Sequence, residues 1–123
     1  MRISFWLYSS NLEKSFDFYR KVFDLDPEEN LKKSKGFSVP IGIHFELKIS
    51  SLEKPQNAGS IEINEANIEE TYERFIKNRL PETAQSDPKK MKGGTFSGPW
   101  EYPGGMALFL KDPDNHSIFF MEW

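Results

Sequence analysis

From Ile3 to Tyr8 the chain alternates Ile3, Phe5 and Leu7 against Ser4, Trp6 and Tyr8, the period of a strand with two distinct faces. Asn11 follows as a helix N-cap, and Leu12, Phe16, Tyr19 and Phe23 recur at the spacing that lays one helical face on a core. The Asp26-Pro27 step predicts the end of this helix, because the residue before a proline is pushed out of helical conformation. A strand over 37–41, a turn over 40–42 and a second strand come next. In that second strand Ile43, Phe45, Leu47 and Ile49 alternate with His44, Glu46 and Lys48. Residues 50–58, with Pro55, Gln56 and Asn57, read as a connector.

The opening design then returns. Ser60, Ile61, Glu62, Ile63 and Asn64 have the strand pattern, and Asn67 leads into Ile68, Tyr72, Phe75 and Ile76. Asn67 minus Asn11 is an offset of 56, at which Ser4 meets Ser60, Leu7 meets Ile63, Leu12 meets Ile68, Phe16 meets Tyr72 and Tyr19 meets Phe75. Two strand-helix openings in register predict a duplicated architecture, with module one at about 1–52 and module two at about 58–123. Half-domains of roughly 60 residues bury too little surface to stand alone, so the two are expected to form a single domain. The second helix is predicted over 67–80 and an exposed polar loop over 81–94. An aromatic bend at 98–105 precedes a strand at 106–111, a tight turn at Asp112-Pro113-Asp114-Asn115 and a last strand at 117–122. The order is that of an α+β fold, each helix covering one face of a curved, mainly antiparallel sheet.

Composition narrows the function classes. A formal net charge of −3 with interleaved signs offers no basic track for nucleic acid, and Lys32, Lys33 and Lys35, like Lys89, Lys90 and Lys92, read as solvated loop surface. No run of about 18 apolar residues predicts a membrane span. With no cysteine, no thiolate chemistry or Cys-ligated zinc is available, and a cytoplasmic protein is expected. Eleven Phe and three Trp exceed what a small core needs, which points to aromatic side chains lining a pocket.

Three stretches carry a resemblance: Ser-Asn-Leu-Glu-Lys-Ser-Phe-Asp-Phe-Tyr at 10–19, its copy at Asn67-Ile68-Glu69, and Asp112-Pro113-Asp114-Asn115-His116 before the last strand. In these the chain resembles the vicinal oxygen chelate superfamily, which includes glyoxalase I, extradiol dioxygenases and the fosfomycin- and bleomycin-resistance proteins. The resemblance implies paired βαβββ modules whose sheets curl into a U-shaped cleft, often with homodimerisation. It also implies metal-ligand positions, which fall here at Ser4, Ser60, Glu46 and Phe119. Serine and phenylalanine are poor ligands for a catalytic divalent ion, so no metal or other cofactor is expected.

If Ser4 and Ser60 face the cleft, strand alternation puts Trp6, Tyr8, Glu62 and Asn64 on the same side, with Phe119, Met121, His44, Glu46 and Lys48. Trp100 in the aromatic bend joins them, giving Trp6, Tyr8, His44, Glu62, Asn64, Trp100, Phe119 and Met121 as the expected contacts of a small amphipathic or aromatic ligand. The alternative is an enzyme, a lyase, isomerase or dioxygenase. It would use His44 and Glu46 as catalytic groups, with a shifted metal site at His44, Glu46 and Glu62, since residues two apart on a strand share a face at roughly 7 Å. A dimeric scaffold with a filled cleft is the third possibility. His116 reads as a turn residue, and Gly93-Gly94 and Gly104-Gly105 as bends rather than phosphate loops.

Overall fold

The computed structural model describes residues 1–26, 35–51, 58–64 and 66–123; the connector residues 52–57, Pro27, Lys32 and Lys33 lie outside them. In chain order the elements are β1 (Ile3–Ser9), α1 (Leu12–Phe23), β2 (Gly36–Ile41), β3 (Phe45–Ser51), β4 (Ser60–Asn64), α2 (Ile68–Lys77), β5 (Thr95–Tyr102), β6 (Gly105–Lys111) and β7 (Ser117–Glu122). They form two open mixed sheets, ordered β1-β3-β2 and β4-β7-β6-β5. In each, the first strand of its half runs parallel to the last, β1 to β3 and β4 to β7, and the remaining pairs are antiparallel. Among the described residues the first sheet has three strands and the second four.

The repeat seen in the sequence is present at the helix starts. Asn11 accepts a hydrogen bond from the Lys14 N–H and Asn67 one from the Glu70 N–H, so each helix opens on the same cap. Leu12 to Ile68 is again 56 residues. The first helix ends three residues before the Asp26-Pro27 step, because Asp24 turns left-handed (φ 53°) and its N–H closes back on Arg20 O. The second helix stops at Lys77 rather than Leu80.

Each helix packs on one side of its sheet. Phe16 and Tyr19 meet Phe37 at ring separations of 5.3 and 5.9 Å, and Phe75 meets Phe96 and Phe120 at 5.1 and 5.7 Å. The two halves share one core, with Phe23 of α1 against Phe120 of β7. Where α1 ends, α2 and its cap supply donors for its free carbonyls: Arg74 Nε bonds Val22 O at 2.7 Å and Asn78 Nδ2 bonds Lys21 O at 2.8 Å.

Three expectations are corrected here. Residues 98–102 continue β5 as a strand, the register shifting between Ser97 and Trp100, so the aromatic bend narrows to the turn before Gly105. The loop at 81–94, expected to be exposed, buries Met91, and its start is tied to β5 by Phe96 N bonding Pro81 O and Thr83 N bonding Phe96 O. Residues 42–44 form the turn between β2 and β3, which removes His44 from the strand.

His116 is more than a turn residue. It is buried, its Nδ1 accepts the Gly59 N–H at 2.6 Å, and its Nε2 lies 2.8 Å from the Tyr8 carbonyl. A carbonyl only accepts, so the ring is the neutral tautomer with its proton on Nε2, joining the end of β1 to the start of β4. Beside it, buried Asp112 accepts from Tyr19 OH at 2.8 Å and from the Asp114 and His116 N–H groups at 2.9 Å each. Burial and the adjacent Asp112 carboxylate push the Tyr19 hydroxyl well above its ordinary value. Burial also raises the Asp112 carboxyl, against the neighbouring His116 and the bonds that favour its charge. His116→Ala should cost about 2–4 kcal/mol by emptying a buried site and leaving two part-buried backbone groups without their partner, and Tyr19→Phe about 1–2 kcal/mol. Urea unfolding of both variants checks the order; an equal or smaller loss for His116→Ala would deny the histidine its linking role.

Candidate functional site

The two sheets each have a helix-covered side and an outer side. On the outer side of the first sheet stand Ser4, Trp6 and Tyr8 beside Glu46, Lys48 and Ser50, paired in register. Glu46 is held there by polar neighbours: Ser4 Oγ donates to it at 2.7 Å, and Arg2 and Lys48 lie 3.6 and 3.8 Å away. Lys48 Nζ also sits 5.2 Å from the Trp6 ring. Trp6, 58 % exposed, flanks a shallow depression with Lys35, Ser38 and Lys48, and Tyr8 is exposed.

On the second sheet, register brings Glu62 beside Phe119 and Phe109, and Asn64 beside Met121 and Ala107, with Trp100 next in the row. Met91, Ala107, Phe109 and Met121 form a second apolar cluster, against which Trp100 and Phe119 pack. Trp100 Nε1 donates to Ser97 Oγ at 3.1 Å. The structure therefore gathers Glu62, Asn64, Trp100, Phe119 and Met121 on one sheet, while Trp6 and Tyr8 belong to the other.

A groove of about 660 Å³ lies elsewhere, between the first sheet, at Phe5, Ile41, Gly42 and 45–47, and the edge strand β4. Phe5, Ile41, Phe45, Leu47, Ile61 and Ile63 give it apolar walls, and Glu46, Ser60, Glu62 and Asn64 its polar atoms. Phe5 and Phe45 stack at 6.3 Å and 18°, yet remain 50 % and 44 % exposed. Of the expected ligand contacts only Glu62 and Asn64 line this groove; Trp6, Tyr8, His44, Trp100, Phe119 and Met121 do not. Phe5, Phe45, Ile61 and Ile63 escape a sequence reading because their strand parity assigns them to the core. The signal available was the aromatic surplus, which gives no position.

His44 is exposed in the β2–β3 turn, outside the groove, and no hydrogen bond joins it to Glu46 among the described residues. Glu46 and Glu62 do line one cavity, but among the described residues no three of His, Asp and Glu gather closely enough to hold a metal ion. Among the described residues the shifted His44, Glu46 and Glu62 metal site is thus not assembled. No described helix is long and apolar enough to cross a membrane.

The family model for the Glyoxalase/Bleomycin resistance protein/Dioxygenase superfamily matches residues 3–120. Among solved structures, the chain is similar to a glyoxalase/bleomycin resistance protein from Catenulispora acidiphila, with 11 % identity, TM-score 0.74 and coverage of 100 % of this chain and 98 % of that one. It is also similar to a transposon-encoded bleomycin resistance determinant, at 15 % identity, TM-score 0.70 and coverage of 99 % and 97 %. The bleomycin-binding protein of Streptomyces verticillus, solved with copper(II)-bleomycin, follows at 18 %, 0.66 and coverage of 98 % and 93 %. These likenesses show the fold. No curated protein matches the chain.

The placement of the three tryptophans is open to a direct check. Trp6 and Trp123 are exposed and Trp100 is partly sheltered in the second cluster. Trp100→Phe should remove the short-wavelength emission that resists acrylamide quenching; unchanged quenching would place Trp100 in solvent.

Proposed function

The chain belongs to the Glyoxalase/Bleomycin resistance protein/Dioxygenase superfamily, and from that premise we propose that it is a small-molecule binding protein whose ligand occupies the groove between the first sheet and β4. The observation that carries this reading is the groove itself. Its volume of about 660 Å³ falls in the range of ligand sites, and its lining combines apolar walls with four polar side chains. Affinity would come from apolar area on Phe5, Phe45, Ile61 and Ile63, and orientation from Glu62 and Asn64. An amphipathic or aromatic ligand fits that division. The bleomycin-binding function of the Streptomyces verticillus protein lends support by fold.

The binding is metal-independent in this reading. At the superfamily's ligand positions Ser4 is occupied in donating to Glu46, Ser60 offers a neutral hydroxyl, and Phe119 packs in the aromatic cluster. None of these three supplies imidazole or carboxylate. The same reading makes the protein a homodimer, in which a second copy covers exposed sheet surface such as Trp6 and Tyr8, and places a cysteine-free chain in the reducing cytoplasm.

N-phenyl-1-naphthylamine, a neutral fluorescent amphiphile, tests the groove. Saturable binding is expected at one probe per chain. Phe45→Ala should weaken it roughly tenfold, equivalent to about 1.4 kcal/mol of lost apolar contact, and Trp6→Ala should leave it unchanged. Binding that ignores Phe45 but depends on Trp6 would move the site to the outer sheet face. Dialysis against a chelator should change nothing; a loss restored by nickel, zinc or manganese would reinstate a metal.

A further inference from the structure

Among the described residues the groove contains two carboxylates in unlike settings, and no Lys or Arg lines it. Glu46 is compensated by Arg2, Lys48 and Ser4. Glu62 has no cation within ion-pair distance among the described residues. It is instead held by neutral donors in series: Trp123 Nε1 donates to Asn64 Oδ1 at 3.0 Å, and Asn64 Nδ2 donates to Glu62 Oε2 at 3.2 Å. Accepting from the indole with its oxygen fixes which way the Asn64 amide points, and the amide nitrogen then engages one oxygen of Glu62. Oε1 is left without a donor among the described residues. Trp123 is 65 % exposed, with its ring edge beside Gly105, where an added Cβ would lie 2.9 Å from Cε3.

We propose that Glu62, oriented by Trp123 through Asn64, reads charge at this groove and selects amphipathic ligands bearing a protonated amine. The inference rests on the groove being the binding site. An ammonium donor placed at the free oxygen of Glu62 forms a charge-assisted hydrogen bond, while the chain attached to it runs along Ile61, Ile63 and the Phe5–Phe45 pair. A carboxylate ligand meets the same apolar walls and an opposing charge, so its entry is penalised where the ammonium is rewarded. Trp123 acts as a positioning residue, because it touches Asn64 and not the ligand's charge.

The experiment is displacement of N-phenyl-1-naphthylamine at neutral pH by octylammonium, octanoate and 1-octanol, which share one tail and differ in head-group charge. Octylammonium should displace the probe at about tenfold lower concentration than octanoate. Glu62→Gln, a surface change that leaves the fold intact by circular dichroism, should erase that ratio without altering displacement by 1-octanol. Trp123→Phe, which keeps an aromatic ring but loses the N–H, should narrow the ratio, again sparing 1-octanol. Added salt should compress the wild-type ratio and leave 1-octanol untouched. Equal displacement by all three compounds, or a ratio surviving Glu62→Gln, overturns the role of Glu62 while the groove stands as the site. Probe that fails to bind, or that none of the three displaces, overturns the groove reading and this one with it.

Discussion

The structure depends on one turn, Asp112 to His116, which ties the last hairpin of the second half to the first strand and helix of the chain. Asp114 accepts from the Ser10 hydroxyl and N–H, Asp112 from Tyr19, and His116 joins Gly59 to Tyr8. Each of these bonds spans dozens of residues, so the turn holds two half-domains that would otherwise touch mainly through helices. Its buried side-chain polar atoms all have partners, which is the condition for burying an aspartate, a tyrosine hydroxyl and an imidazole together. The backbone of the turn favours this arrangement, since Asn115 takes the left-handed position and Asp112 closes the loop through its own main chain.

That tie also shapes the groove. It brings the end of β1 to the beginning of β4, close enough that a Cβ on Gly59 would lie 2.5 Å from Leu7 Cδ2. The Gly59 amide is held by His116, and a side chain added at that position would have to displace the end of Leu7. Away from the tie the two sheets diverge, and the space between them is lined by Phe5, Ile41, Phe45 and Leu47 on one side and Ser60 to Asn64 on the other. The same interaction that secures the halves thus fixes one end of the cavity, while α1 and α2, joined through Arg74 and Asn78, hold the opposite side of the shared core.

Much of the fold was legible because it rests on short-range chemistry. The 56-residue offset, the Asn11 and Asn67 caps and the helical stripes follow from local capping and periodicity, and the structure keeps them. The errors arise where tertiary context overrides a local signal. Proline and glycine at 98–99 suggest a bend, yet a bulge absorbs them within β5. The alternation through His44 continues the strand pattern, but the turn extends to residue 44. For the site, parity puts Trp6, Tyr8, Phe119 and Met121 on the side of one common cleft, whereas these residues lie on two separate sheets. Parity also consigned Phe5 and Phe45 to the core, since a sequence does not show where a helix stops covering a sheet. The role of His116 stayed hidden for a related reason, its partners being Tyr8 and Gly59, distant in the chain.

The half-exposed aromatics at the groove carry a thermodynamic argument. Fully burying a phenylalanine is worth about 1.5–3 kcal/mol relative to leaving it in water, so a chain selected for stability alone gains by closing the groove over Phe5 and Phe45. β1 and β4 are both edge strands of the described sheets, and pairing them would satisfy the backbone groups along those edges as well. Instead Ser60, Glu62 and Asn64 place polar and charged groups along β4 beside the opening, where closure would desolvate a carboxylate that no described cation compensates. Glu62 therefore opposes the collapse that the apolar walls favour, and the cavity stands as a balance between the two. On the proposed reading, an occupant with an apolar body and a positive end would cover the aromatics and satisfy the carboxylate, removing both costs at once.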